Sequence, residues 1–282
     1  MRVSEVTAAG QPDFGDLREL VEELARSAGD LIRGGPRQVD VAATKTSPVD
    51  VVTAMDVAAE ELLRRTLAER RPLDGVLGEE QGLLPGSSGL TWVIDPIDGT
   101  VNYLYGIPAY AVSVAAVVGP PDPDSWTVLA GCVHAVADGR TFSAARGGGA
   151  LLDGRRLSVN ESRALNESLL GTGFGYLSDR RRAQARVIAA LLPQVRDIRR
   201  MGSAALDLCS VASGALDVYF ERGLKPWDLA AGSLIAQEAG AVVVGLWGEP
   251  AGEAMTVAGP AATVRTLVGL LEELEADRDE PA

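Results

Sequence analysis

In residues 91–100, TWVIDPIDGT, an apolar run meets Asp95, Asp98, Gly99 and Thr100. Carboxylates converging at a strand end are hard oxygen ligands of the kind that suit Mg²⁺. Trp92, Val93 and Ile94 have the aromatic and β-branched character of a buried strand. Pro96 lacks a backbone donor, so a tight turn is expected there, with Asp95 and Asp98 upon it and the Ile97 carbonyl between them. Gly99 lets backbone approach a ligand closely, and the successive amides of Gly99 and Thr100 can cradle an oxyanion. The chemistry this points to is a metal ion beside a phosphate. Aspartates also cap turns, and D-x-x-D-G by itself fits that role equally well. Other carboxylates have to decide.

Composition narrows the classes. The 282 residues fit one large domain or two intimately packed halves rather than a string of modules, and 26 Lys plus Arg against 39 Asp plus Glu give a net charge of −13. That balance disfavours a broad footprint on nucleic acid or anionic membrane, and an anionic substrate would need a cation beside it. Cys132 and Cys209 have no nearby Cys or His, so neither a disulfide framework nor a zinc cluster is indicated. The lone His134 lies in a strand-like run and reads as structural, which argues against Ser or Cys hydrolase chemistry with a His base. No charged-then-apolar leader opens the chain and no run approaches 18 apolar residues, so neither a signal peptide nor a membrane span is expected. The expected compartment is the cytoplasm.

The elements around the central stretch follow from periodicity and caps. Leu17, Leu20, Val21, Leu24, Ala28 and Leu31 predict an amphipathic helix over 16–33. A short strand near Val39 and Val41 leads to TKTSPVDVVTAMD at 44–56, where Thr53 can cap a helix to residue 70 carrying Val57, Leu62, Leu63 and Leu67. Asp56 falls in its first turn. A short strand over 72–82 ends at Glu79 and Glu80, and a meander follows over 110–118, 126–136 and 141–145. Ser168 to Thr172 reads as a strand leading into GFGY, whose glycines come with neither a P-loop lysine nor a dinucleotide fingerprint. Arg180, Arg181 and Arg182 open a helix to about 192 and read as a solvated face. Ser203 caps a helix to Ser213, a strand covers 216–223, and Pro226 starts a helix with Asp228 in its first turn, ending at Gly240. Strands at 242–244 and 255–258 and a helix at 260–274 precede the tail 275–282, which is expected to fray, as residues 1–14 are expected to be mobile. Everything between reads as a single domain.

The ordered motifs KTSPVDVVTAMD (45–56), GEE (78–80), WVIDPIDGTVNYLYGIP (92–108), GSAALDLC (202–209), YFERG (219–223) and PWDLAAG (226–232) resemble the inositol monophosphatase family of Mg²⁺-dependent, lithium-sensitive phosphatases. The likeness spans nearly the whole chain and most resembles the bacterial branch. It implies a layered αβαβα sugar-phosphatase fold, mixed α/β in class. It also implies two to three Mg²⁺ ions per subunit. Glu79, Asp95 and the Ile97 carbonyl would hold one, and Asp95, Asp98 and Asp228 another, with Asp95 bridging. A further ion near Glu79 would activate a water that Asp56 and Thr100 orient. Gly99 and Thr100 would hold the phosphate, while the Ala204 backbone, Glu221 and Asp228 would contact polyol hydroxyls. Glu80 is the candidate for support behind the ligands. Lys45 would lie near the catalytic loop and either stabilises Glu79 or is a surface lysine.

The resemblance favours hydrolysis of inositol 1-phosphate or a small phosphorylated relative by a homodimer. Fructose 1,6-bisphosphate, histidinol phosphate and 3′-phosphoadenosine 5′-phosphate are substrates of relatives with the same metal core. A bisphosphate would need a basic subsite, for which Arg180–Arg182 or Lys225 are the hints in the sequence. Some bacterial members also act as binding factors in RNA-related assemblies, so a second role stays open. A two-metal nuclease would fit the carboxylates but not the acidic balance.

Overall fold

The computed structural model describes residues 13–35, 41–44 and 51–279. Helix α1 (Phe14–Arg33) is capped by the Asp13 side chain, which accepts a hydrogen bond from the Gly15 amide at 2.8 Å. Its buried face is Leu17, Leu20, Val21, Leu24, Ala28 and Ile32. Leu31, assigned above to that face, is exposed, because Ile32 completes the four-residue spacing from Ala28. A ribbon of β1 (Val41–Thr44) and β2 (Val51–Thr53) leads directly into α2 (Ala54–Arg70). Thr53 caps α2 as expected, whereas Val57 points outward and Ala59, Leu63 and Leu67 form the inner face.

The central sheet is built from β3 (Gly75–Gly78), β4 (Gly82–Leu84), β5 (Leu90–Asp98), β6 (Ala111–Val118), β7 (Thr127–Ala135), β8 (Arg140–Ala145), β9 (Gly149–Leu152) and β10 (Arg155–Arg156), with the short α3 (Thr100–Tyr105) after β5. Its order is β10-β9-β8-β7-β6-β5-β3-β4, antiparallel apart from the β3–β5 pair. A second, five-stranded sheet has the order β12-β11-β13-β15-β14. In chain order its elements are β11 (Leu169–Thr172), α4 (Ser178–Leu191), β12 (Asp197–Arg199), α5 (Ala204–Ala212), β13 (Val218–Glu221), α6 (Pro226–Glu238), β14 (Val242–Val244), β15 (Thr256–Gly259) and α7 (Ala261–Glu273).

Both sheets are covered on both faces, and alternation along single strands shows how. In β6, Val112, Val114 and Ala116 pack with α1 and α2, while Ala111, Ala115 and Val117 pack with α5 and α6. In β13, Tyr219 faces α5 and α6, while Val218 and Phe220 face α4 and α7. The layers are therefore helix, sheet, helix, sheet, helix, the expected αβαβα arrangement. The middle layer is thin because its residues are small: a side chain at Gly131 of β7 would start 2.8 Å from the Ala231 Cα of α6.

The tail expected to fray is held instead through Asp279. Ala276 is buried, Trp247 Nε1 donates to Asp277 at 3.0 Å, and Arg222 pairs with Asp279 at 2.7 Å. Of the segment 1–14, only Asp13 and Phe14 lie within the described residues. No helix among the described residues is long and apolar enough to cross a membrane.

Candidate metal and phosphate site

The site begins with a bulge. Strand β5 does not turn at Pro96; it stays paired with β6 through Asp98, but the two residues between Asp95 and Asp98 match the single residue between Ser113 and Ala111. The missing proline donor falls within this irregular stretch, where no ladder bond is lost. In a regular strand, residues three apart point to opposite faces. The extra residue brings Asp95 and Asp98 round to one side, and Asp95 Oδ1 accepts a hydrogen bond from the Ile97 amide at 3.0 Å. Gly99 follows at φ +96°, where a Cβ would sit 2.8 Å from the Ala109 carbonyl, so α3 can start only from a glycine.

Helix termini supply the other ligands. The N-terminus of α5 grips Asp98, whose Oδ2 accepts from Ser203 Oγ at 2.6 Å and from the Ala205 amide at 2.7 Å. Pro226 opens α6, and Asp228 Oδ2 accepts from the Lys225 amide at 2.7 Å. One carboxylate oxygen each from Asp95, Asp98 and Asp228 lie within 4.8 Å of one another. Burial, and then the charges of Glu79, Asp98 and Asp228, hold the Asp95 carboxyl well above the usual range. Burial, Asp98 and Glu79 do the same to Asp228. Such a crowd of hard oxygen donors fits a divalent cation, which would neutralise the repulsion that the carboxylates cannot relieve among themselves.

Beside this cluster, α2 presents Asp56 through its capping box. The Thr53 amide donates to Asp56 Oδ2 at 2.8 Å, and Asp56 Oδ1 lies 3.1 Å from Thr100 Oγ1, itself 3.0 Å from the Ile97 carbonyl. Asp56 is fully buried, and burial raises its carboxyl against the lowering by Thr53 and Thr100. On the far side, Tyr219 donates to Glu221 Oε2 at 2.7 Å, and burial pushes the Glu221 carboxyl up to about 7. Ala204 is the first residue of α5 and is buried.

Glu79 thus joins the acidic centre, where it acts on Asp95 through both charge and a shared hydrogen bond. Glu80, in the same turn, donates its amide to Glu60 Oε2 at 2.8 Å. Lys45 lies outside the described residues. Lys225 pairs with Glu253, Arg182 with Asp179 and Arg180 with Asp279, and Arg181 Nε donates to the Gly175 carbonyl. Among the described residues, Arg200 is the cation whose charge reaches these carboxyls, lowering Asp98, Asp207 and Glu221. Sequence reasoning missed it, as it missed Glu60 and Asp207. Asp207 is buried on α5, neither carboxylate oxygen has a hydrogen-bond partner among the described residues, and burial pushes it up to about 8. Only Glu60 left a trace, at four-residue spacing from Asp56. His134, as expected, is structural: it is buried, its Nδ1 lies 3.0 Å from Thr141 Oγ1, and burial lowers its basicity. Cys132 and Cys209 are free and buried.

The family model described as inositol monophosphatase family matches residues 15–276. The chain belongs to the inositol monophosphatase family. A Mycobacterium tuberculosis relative named inositol-1-monophosphatase SuhB is 47% identical over 247 residues, spanning 81% of this chain and 83% of its own length. The solved structure of Mycobacterium tuberculosis SuhB superposes with a TM-score of 0.79 at 43% identity, covering 95% of this chain and 100% of that one. A Xylella fastidiosa relative named Nus factor SuhB is 41% identical over 226 residues, spanning 79% of this chain and 80% of its own length. As an inositol monophosphatase family member the chain is a phosphatase, and its acidic cluster suits the metal dependence of the family.

Proposed function

We propose that the chain is a Mg²⁺-dependent, lithium-sensitive phosphomonoester hydrolase that releases phosphate from inositol 1-phosphate or a close relative. The observation that carries this reading is the carboxylate triad of buried Asp95 and Asp98 with half-buried Asp228, and the Asp56–Thr100 pair beside it. Glu79, Asp95 and the Ile97 carbonyl would hold one ion, Asp95, Asp98 and Asp228 a second, and a third would lie near Glu79. Bound there, Mg²⁺ supplies a Lewis acid that activates water and offsets charge on the phosphoryl oxygens and the leaving alkoxide.

The chain's own groups do the positioning. The Thr100 hydroxyl donates to Asp56 Oδ1, which leaves its lone pairs to accept from the nucleophilic water and fix its orientation. The Gly99 and Thr100 amides hold the phosphate. Glu221 and Asp228 accept hydrogen bonds from vicinal hydroxyls, because one carboxylate can accept two or more, and the Ala204 backbone completes the polyol site. Arg200 moderates the negative charge of this wall, so a neutral polyol is accommodated beside a dianionic phosphate.

A second copy of the chain is proposed to cover Tyr105, Ile107 and Met201, all exposed. Asn102 ties their segments together by donating to the Ala109 and Met201 carbonyls at 2.7 and 2.8 Å. Sedimentation equilibrium should return twice the chain mass.

The test is phosphate release with Mg²⁺, with and without lithium, across inositol 1-phosphate, fructose 1,6-bisphosphate, histidinol phosphate and 3′-phosphoadenosine 5′-phosphate. Preference for inositol 1-phosphate with inhibition by lithium is expected; turnover of a diphosphorylated substrate alone would overturn the substrate. The relatives named Nus factor favour a second, binding role. A partner recovered equally by wild type and Asp95→Asn would establish it as separate from catalysis.

A further inference from the structure

Glu79 is presented by the tight turn between β3 and β4, yet the groups that fix this turn belong to α2. Glu60 lies one helical turn after Asp56, and its side chain is fully buried. Its carboxylate accepts from the Glu80 amide at 2.8 Å, from the Gln81 amide at 3.0 Å and from Arg64 Nε at 2.8 Å. Arg64 reaches further and donates through Nη2 to the Gly82 carbonyl at 2.6 Å. The three residues that follow Glu79 are therefore each bonded to one of two side chains four residues apart on one helix. The residue before it is shaped by the same carboxylate: a Cβ on Gly78 would lie 2.5 Å from Glu60 Oε1. A helix-surface ion pair needs none of this. Burying a carboxylate is costly unless its lone pairs are met, and here they are met by the backbone of the turn itself.

We infer that Glu60 and Arg64 are positioning residues that aim Glu79 at the metal centre, and that α2 thereby sets Asp56 and Glu79 relative to one another. The inference rests on the reading of Glu79 as a metal ligand. Groups standing behind metal ligands commonly change affinity by about 10–100-fold when altered. In Glu60→Gln, the amide group has a single acceptor oxygen where the carboxylate had two, so it cannot serve both turn amides and Arg64. Gly78→Ala leaves every charge in place and pushes the carboxylate off the turn.

The experiment measures Mg²⁺ binding by calorimetry, the Mg²⁺ concentration for half-maximal activity, and KM for inositol 1-phosphate. It uses the full chain as wild type, Glu60→Gln, Gly78→Ala and Glu79→Gln. Glu60→Gln and Gly78→Ala are expected to weaken Mg²⁺ binding and raise the half-saturating Mg²⁺ by about tenfold, with KM changed less than about twofold, whatever happens to Tm. If one of the two fails to fold, the other carries the test, and Arg64→Lys, which keeps the charge and loses the fork to Gly82, replaces it. Weakened binding in Glu79→Gln but wild-type binding in Glu60→Gln and Gly78→Ala overturns the inference and leaves the ligand reading standing. Wild-type binding in Glu79→Gln overturns the ligand reading and the inference with it.

Discussion

Beneath α2, the buried carboxylate of Glu60 is ringed by donors: two backbone amides and a guanidinium. At the bulge of β5, the equally buried Asp95 is ringed by other acids, Glu79, Asp98 and Asp228. Burial is the same in both places, and the company differs. The Glu60 region is complete within the chain, whereas the Asp95 region is electrostatically incomplete until a cation enters. Glu60 is a buried carboxylate that has collected only donors, and it belongs to the scaffold. One that has collected rivals belongs to a site.

The contrast is sharpest in what a lost charge does. Asp95→Asn should lower phosphate release by about a hundredfold or more, because it removes a charge that would hold two of the proposed ions. Activity near wild type at saturating Mg²⁺ would dismantle the mechanism. In metal-free protein the same substitution should raise Tm, since it relieves repulsion. Arg64→Ala should instead cost about 3 kcal/mol in urea unfolding, because it strands Glu60 without its cation. Equal signs for the two variants would erase the distinction between the regions. Adding Mg²⁺ at a hundredfold excess over Kd should stabilise the wild type by about 2.7 kcal/mol, and chelation should reverse this; the thermal shift should shrink sharply in Asp95→Asn.

Asp207 extends the comparison to a carboxyl with no donor among the described residues and no place among the proposed ligands. Its folded value of about 8 lies above its ordinary 3.8. The stability it contributes is therefore full below about pH 3.8 and is lost as pH rises through about 8. Asp207→Asn should flatten the fall in Tm between pH 5 and about 8, measured at saturating Mg²⁺ to hold the acidic centre constant. Parallel Tm profiles for the two proteins would show that Asp207 does not titrate there. The smallest effect is expected at Glu221→Gln, which should shift relative KM values among polyol phosphates several-fold while leaving half-saturating Mg²⁺ unchanged. A change in Mg²⁺ dependence larger than that in KM would move Glu221 into the metal centre.

Local signals carried much of this architecture. The Thr53 cap, the Ser203 cap and Pro226 announced three helix starts, and each start aims an acid or an acid's partner at the site. The bulge was hidden because it is a property of the β5–β6 register, and Pro96 read locally as a stop. Strands β4 and β12, three residues each, were too short to show a period. Arg200 looks like any other arginine until the chain folds, and the Arg180–Arg182 cluster drew attention that its ion pairs do not sustain. The turn amides that Glu60 holds lie 20 and 21 residues downstream, beyond any local pattern.

Helix α2 carries Asp56, Glu60 and Arg64 at intervals of four, with Val57, Glu61 and Arg65 exposed beside them. Inserting or deleting a single residue between Asp56 and Glu60 would swing everything downstream by about 100° around the helix axis, parting the water-orienting acid from the turn it shares a frame with. This stretch should accept almost any substitution at its outward positions and no change in length, so the spacing of residues here is under tighter constraint than the identity of most of them.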